Sequence, residues 1–178
     1  MTIRSPRSAR RALLSAGLAA GLAAAFVQAP AAEADCAAAV GTYLTSISDR
    51  EGVFSSRGLM TFAAGGVLTM SDSAQGGVPG AWDPFSSSQG AWRCEAGKDG
   101  TLDAAAVALN FVLPADGRRP ALARVDYKIH FEPGNGAISG SATLHLTDGM
   151  DLEAANPMEQ PGKLMDEFQF DGVRVTLP

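Results

Sequence analysis

Only two histidines stand in this 178-residue chain, His130 and His145, and each lies in a segment where polar and apolar residues alternate. In "ALARVDYKIHFE" (121–132) Arg124, Asp126 and His130 share the polar row, and His145 lies in "AISGSATLHLT" (137–147). A tight turn at "PGNG" (133–136) would make the two a hairpin with Phe131 opposite Ile138 and Val125 opposite Leu144. That register sets His145 opposite Arg124 with Asp126 on the diagonal, and leaves His130 near Ser139. Grouped so, His145, Asp126 and Arg124 could serve as general base, its orienting partner and an anion clamp. The blander account is that all three belong to the wet outer face of a half-buried strand.

Other chemistries find less. There is no His-x-His, His-Glu-x-x-His or Cys-x-x-Cys spacing, and the carboxylates of "DGMDLE" and "DREG" lack the ligand order of a calcium loop. No metal site or cofactor is expected. A Gly-x-Ser-x-Gly elbow and a phosphate-cradling glycine loop are also missing, and the serines of "FSSSQG" (85–90) have no histidine nearby in sequence. Nothing here compels an enzyme.

Cys36 and Cys94 are the only cysteines, so a disulfide between them has one solution. It suits an exported chain. Lipidation of Cys36 is the rival, but "EADC" has Glu33 and Asp35 where a lipoprotein processing site carries a leucine-like and a small residue. Export itself is read from the N-terminus. Arg4, Arg7, Arg10 and Arg11 precede the apolar "ALLSAGLAAGLAAAFV" (12–27) and the small residues "AEA" (32–34), the order of a cleaved signal peptide. The apolar run is short and rich in Ala and Gly for a membrane span. The Arg10–Arg11 pair is only a loose match to twin-arginine export, and periplasm and outside medium are not distinguished.

Cleavage after Ala34 removes four of fourteen basic and one of nineteen acidic side chains. The remaining residues 35–178 then carry ten against eighteen, a net charge of −8. Such a domain repels phosphate backbones, so nucleic acid is not an expected partner. After residue 35 no apolar helical period is sustained, and short β-prone segments recur between turns. They are 40–48, 57–63 and 67–73 around "AGG" (64–66), then 91–96, 101–113, 121–132, 137–147 and 168–178. A glycine bulge is expected at Asp171 and Gly172, and "MDLEAA" within the polar 148–167 could form one helical turn. About eight strands with mostly short connections favour an all-β, up-and-down antiparallel barrel, which abolishes exposed edges. A two-sheet sandwich is the alternative.

The glycines and aromatics carry a resemblance. "GTY" (41–43), "RGLMTFAAGGVLTMS", "DPFSSSQGAW" and the closing "GVR" (172–174) resemble exported bacterial proteins with lipocalin-like (calycin) β-barrels, with Tyr in place of the first-strand Trp. The resemblance implies that Tyr43 plugs one end with Arg174 packed over it, Trp92 being the other candidate for that place. It also implies a cup for a hydrophobic small molecule, with Met60, Phe62, Phe111 and Tyr127 in the lumen. The long, glycine-rich "GGVPGAWDPFSSS" (76–88) would be a lid or mouth bearing Trp82 and Phe85. A barrel cyclase or isomerase, which needs the Arg124, Asp126 and His145 row to face inward, and an envelope interaction or inhibitor protein with a packed core are the alternatives.

Overall fold

The computed structural model describes residues 36–97, 100–147, 158–159 and 161–178. A 3-10 turn, Cys36–Ala39, leads into eight strands: β1 (Gly41–Ser48), β2 (Phe54–Ala63), β3 (Val67–Asp72), β4 (Ser88–Ala96), β5 (Leu102–Val112), β6 (Ala121–Glu132), β7 (Ala137–Thr147) and β8 (Lys163–Arg174). Each pairs antiparallel with its sequence neighbour, and β8 returns to β1, closing an up-and-down barrel. Among the described residues no edge strand is left exposed. Among the described residues no helix is long and apolar enough to cross a membrane.

The expected β6–β7 hairpin forms, with Phe131 opposite Ile138, Val125 opposite Leu144, and Arg124 opposite His145. Its turn ends at Gly136, whose φ of 72° lies in the left-handed region open to glycine. Four expectations change: β2 and β4 each start three residues earlier than expected, at Phe54 and Ser88. β8 runs over 163–174 rather than 168–178, and its irregularity falls near Met165, where the register shifts opposite Leu144 and His145. Asp171 and Gly172 instead pair regularly with both neighbours. The segment "MDLEAA" lies outside the described residues, as does the signal segment 1–34.

One end of the barrel is solid. Tyr43, Phe62, Trp92 and Phe131 meet there edge-on or tilted, with neighbouring ring centroids 5.1 to 6.5 Å apart. Such pairs contribute about 0.5–1.5 kcal/mol each beyond the area they bury. The Tyr43 hydroxyl donates to the Ala39 carbonyl at 3.0 Å and accepts from Arg174 Nη2 at 2.7 Å, while the guanidinium carbon sits 5.3 Å from the Tyr43 ring centre. Arg174 also donates to the Ala38 carbonyl. Trp92 Nε1 donates to the Ala63 carbonyl at 3.0 Å, tying the ring to the β2–β3 turn. The Cys36–Cys94 disulfide, Cα atoms 5.9 Å apart, fixes the 3-10 turn across this floor.

Away from the floor the inward row thins. β5 turns Ala104, Ala106 and Ala108 inward, and β6 and β7 add Ala123 and Ala142. At Gly140 the missing Cβ instead makes room for the Phe170 ring, which would lie 2.7 Å from it. Small residues above a floor of large ones leave a space.

Candidate functional site

That space is a cavity of about 290 Å³ toward the end of the barrel at which β1, β3, β5 and β7 finish. It lies near the lower size bound of small-molecule sites. Its β6–β8 side is apolar, with Val125, Tyr127, Leu144, Phe168 and Phe170 among the lining residues. The side formed by β2, β3, β4 and β5 is mixed: Ser56, Asp72, Ser88 and Asn110 line it beside Met60, Met70 and Val112. Alternation places each of these on the inner row of its strand.

The polar groups are largely tied to one another. Ser56 Oγ donates to Asp72 Oδ2 at 2.9 Å, and the Asp72 Oδ1 accepts from the Ala74 amide at 2.7 Å. Asn110 Nδ2 donates to Ser88 Oγ at 3.1 Å, leaving Asn110 Oδ1 buried without a partner among the described residues. The Tyr127 hydroxyl donates to Met70 Sδ at 3.0 Å. Burial, helped by the charge of Asp72, pushes this phenol far above its ordinary range, so it stays neutral.

The β3–β4 connection, residues 73–87, covers the mouth. Its base is stitched to β5, with the Ser86 amide donating to the Phe111 carbonyl at 2.9 Å and the Leu113 amide to the Pro84 carbonyl at 2.7 Å. Its tip is a tight loop in which Val78 and Trp82 exchange two backbone bonds of 2.9 Å. Trp82 then reaches the opposite wall, its ring centroid 6.0 Å from that of Phe168 on β8. Arg118 of the β5–β6 loop holds Asp83 at 2.9 Å, adding a second tie at the rim. This segment is neither a linker nor a free lid tip: it is a cover anchored on both sides.

Of the residues singled out from sequence, Met60, Trp82, Phe85 and Tyr127 line the cavity. Phe62 does not, because it is fully buried in the aromatic floor. Phe111 does not either: it points outward and is 46% exposed. The cause is parity. On β5 the bulkier row of Val107, Leu109 and Phe111 faces out, since pairing of Ala106 with both Trp92 and Tyr127 fixes the alanine row inward. Asn110, next to Phe111, is thereby one of the lumen residues that sequence reasoning passes over, and knowing the parity of this one strand would have found it.

Arg124, Asp126 and His145 come together, but on the outer face. Arg124 Nε lies 3.1 Å from Asp126 Oδ1, and His145 Nδ1 lies 3.5 Å from Asp126 Oδ2. Met158 covers part of the cluster, its carbonyl accepting from Arg124 Nη1 at 3.1 Å. His130 is also outside, its Nδ1 2.8 Å from Asp103 Oδ1. Among the described residues no group of three His, Cys, Asp or Glu side chains is placed to hold a metal ion. No family model, no curated protein and no solved structure matches the chain.

Proposed function

We propose that this protein is an exported, lipocalin-like carrier: a signal peptide over 1–34, then a barrel domain over 35–178 that holds a hydrophobic small molecule in its lumen. The observation that carries this reading is the cavity of about 290 Å³ between a packed aromatic floor and an anchored cover. An apolar wall of this kind gains about 25 cal/mol for each Å² of ligand surface taken from water. The disulfide suits an oxidising compartment outside the cytoplasm.

The rival readings lose specific support. A barrel cyclase or isomerase built on Arg124, Asp126 and His145 needs them in the lumen, and they lie outside it. An interaction protein with a solid core needs a filled lumen, which a cavity of this size argues against. Native mass spectrometry of the protein purified from its exporting host tests the carrier reading. The expected result is an added mass lost on organic extraction; a bare chain that also refuses every apolar compound offered afterwards would end it.

A further inference from the structure

We propose that the guest carries a protonated amine, and that Asp72 at the cavity mouth receives this ammonium while the hydrocarbon part lies against the apolar β6–β8 wall. The inference rests on the carrier reading and names the chemical class of its cargo.

The first ground is a carboxylate without a cation. Asp72, the last residue of β3, is half-buried and lines the cavity, and its hydrogen bonds come from neutral donors, Ser56 Oγ at 2.9 Å and the Ala74 amide at 2.7 Å. Among the described residues it forms no ion pair, whereas Asp83, the other acid of the lining, is held by Arg118 at 2.9 Å. Nor does any described lysine, arginine or histidine line the cavity. A charge in a partly enclosed site favours a partner of opposite sign and penalises a guest of its own sign.

The second ground is that this carboxylate is fixed in place with capacity left. Of its roughly four lone-pair sites, Ser56 and Ala74 take two. The same two bonds hold its orientation, so an ammonium meets an acceptor already positioned. The charge also reaches the lumen: after burial itself, Asp72 is what raises the pKa of the Tyr127 phenol.

The third ground is the surroundings. Trp82 and Phe85 of the cover and Phe168 of β8 line the same cavity, and the faces of aromatic rings attract cations. The rival polar contact is Ser88, whose Oγ accepts from Asn110 Nδ2 and keeps its own proton for an acceptor on the guest. That would be a bond between neutral groups, roughly half as strong as one with an ionised partner. An ammonium on Asp72 adds the attraction of opposite charges, so Asp72 sets the class of guest.

Competition against a bound fluorescent reporter, N-phenylnaphthylamine, tests this at neutral pH with four guests of similar size: n-octylamine, n-octanol, 2-nonanone and octanoate. The expected result is that n-octylamine displaces the reporter at a concentration about tenfold lower than the alcohol or the ketone, with octanoate weakest. Added salt should narrow the amine's lead. In Asp72→Asn, which keeps one oxygen for the Ala74 amide, the gap between amine and alcohol closes. Should that variant not fold, the ranking on the unaltered protein and its response to salt decide. An amine no better than the alcohol, a ketone or octanoate that binds tightest, or an amine advantage undiminished in folded Asp72→Asn overturns the assignment and leaves the carrier reading intact. Failure of the reporter and of every guest to bind removes the carrier reading, and this inference with it.

Discussion

Trp82, at the tip of the cover, rests on Phe168 of β8 with ring centroids 6.0 Å apart and planes inclined by 55°. This contact bridges the barrel mouth, because the other end of the same segment is hydrogen-bonded to β5. Trp82 is still 38% exposed, so the contact holds the cover down without burying it in the core.

Replacing Trp82 by Ala is therefore expected to speed ligand release more than it harms the fold. An aromatic pair of this kind is worth about 0.5–1.5 kcal/mol, so the dissociation rate should rise roughly three- to tenfold. Stopped-flow release of a fluorescent guest measures it. An unchanged rate would mean that the cover does not gate the mouth.

The floor should behave oppositely. Phe62 is fully buried among Tyr43, Trp92 and Phe131, and Phe62→Ala should cost about 3–5 kcal/mol in urea unfolding. Tyr43→Phe removes a hydroxyl that bonds both Ala39 and Arg174, at about 1–2 kcal/mol. Neither side chain lines the cavity, so Tyr43→Phe should leave guest affinity unchanged. A large loss of affinity in that variant would show that floor and cavity are coupled.

The disulfide spans a sequence separation of 58 residues, for which the chain-entropy model gives about 4 kcal/mol. The Cys36→Ser/Cys94→Ser double variant should unfold at a distinctly lower urea concentration, and reductant should lower the midpoint of the parent but not of the variant. Coincident midpoints for parent and variant would contradict this.

Tyr127 gives a pH dependence whose direction is fixed. Its folded-state pKa is raised by burial and then by Asp72, so the native state holds the phenolic proton more tightly than the unfolded chain. The stability tied to this proton is complete below the unfolded value near pH 10 and is lost as the pH rises above it. Up to about 1.4 kcal/mol per pH unit is at stake there. Tyr127→Phe should show a shallower alkaline loss of stability than the parent between about pH 10 and 11. Equal slopes would place the phenol in water.

Much of this architecture is legible in the chain because β6 and β7 alternate almost without interruption and a glycine turn joins them. One reliable hairpin fixes register, and register fixes face. β5 is the opposite case. Its "AAAVALNF" offers two apolar rows, and the choice between them is made by strands distant in sequence, through Trp92 and Tyr127 against Ala106. Choosing the bulkier row puts Phe111 in the lumen and hides Asn110. The polar strip was missed for a related reason: Ser56, Asp72, Ser88 and Asn110 come from four strands and meet only when the barrel closes. The β8 register shift near Met165 has no glycine to mark it, whereas Gly172, which invites a bulge, is needed for close approach to β1, its absent Cβ lying 2.4 Å from the Leu44 carbonyl oxygen.

The central claim is that the lumen itself takes the guest, and filling the lumen tests it. Ala142 lines the cavity between Tyr127 and Phe168, and Ala142→Phe would place a ring in that space. Titrated with N-phenylnaphthylamine, the parent should bind saturably at one site. A folded Ala142→Phe protein, with the parent's circular dichroism, should lose at least about tenfold in affinity, the scale expected for displaced apolar contact. Undiminished binding to the folded variant, or no saturable binding to the parent, would contradict the account.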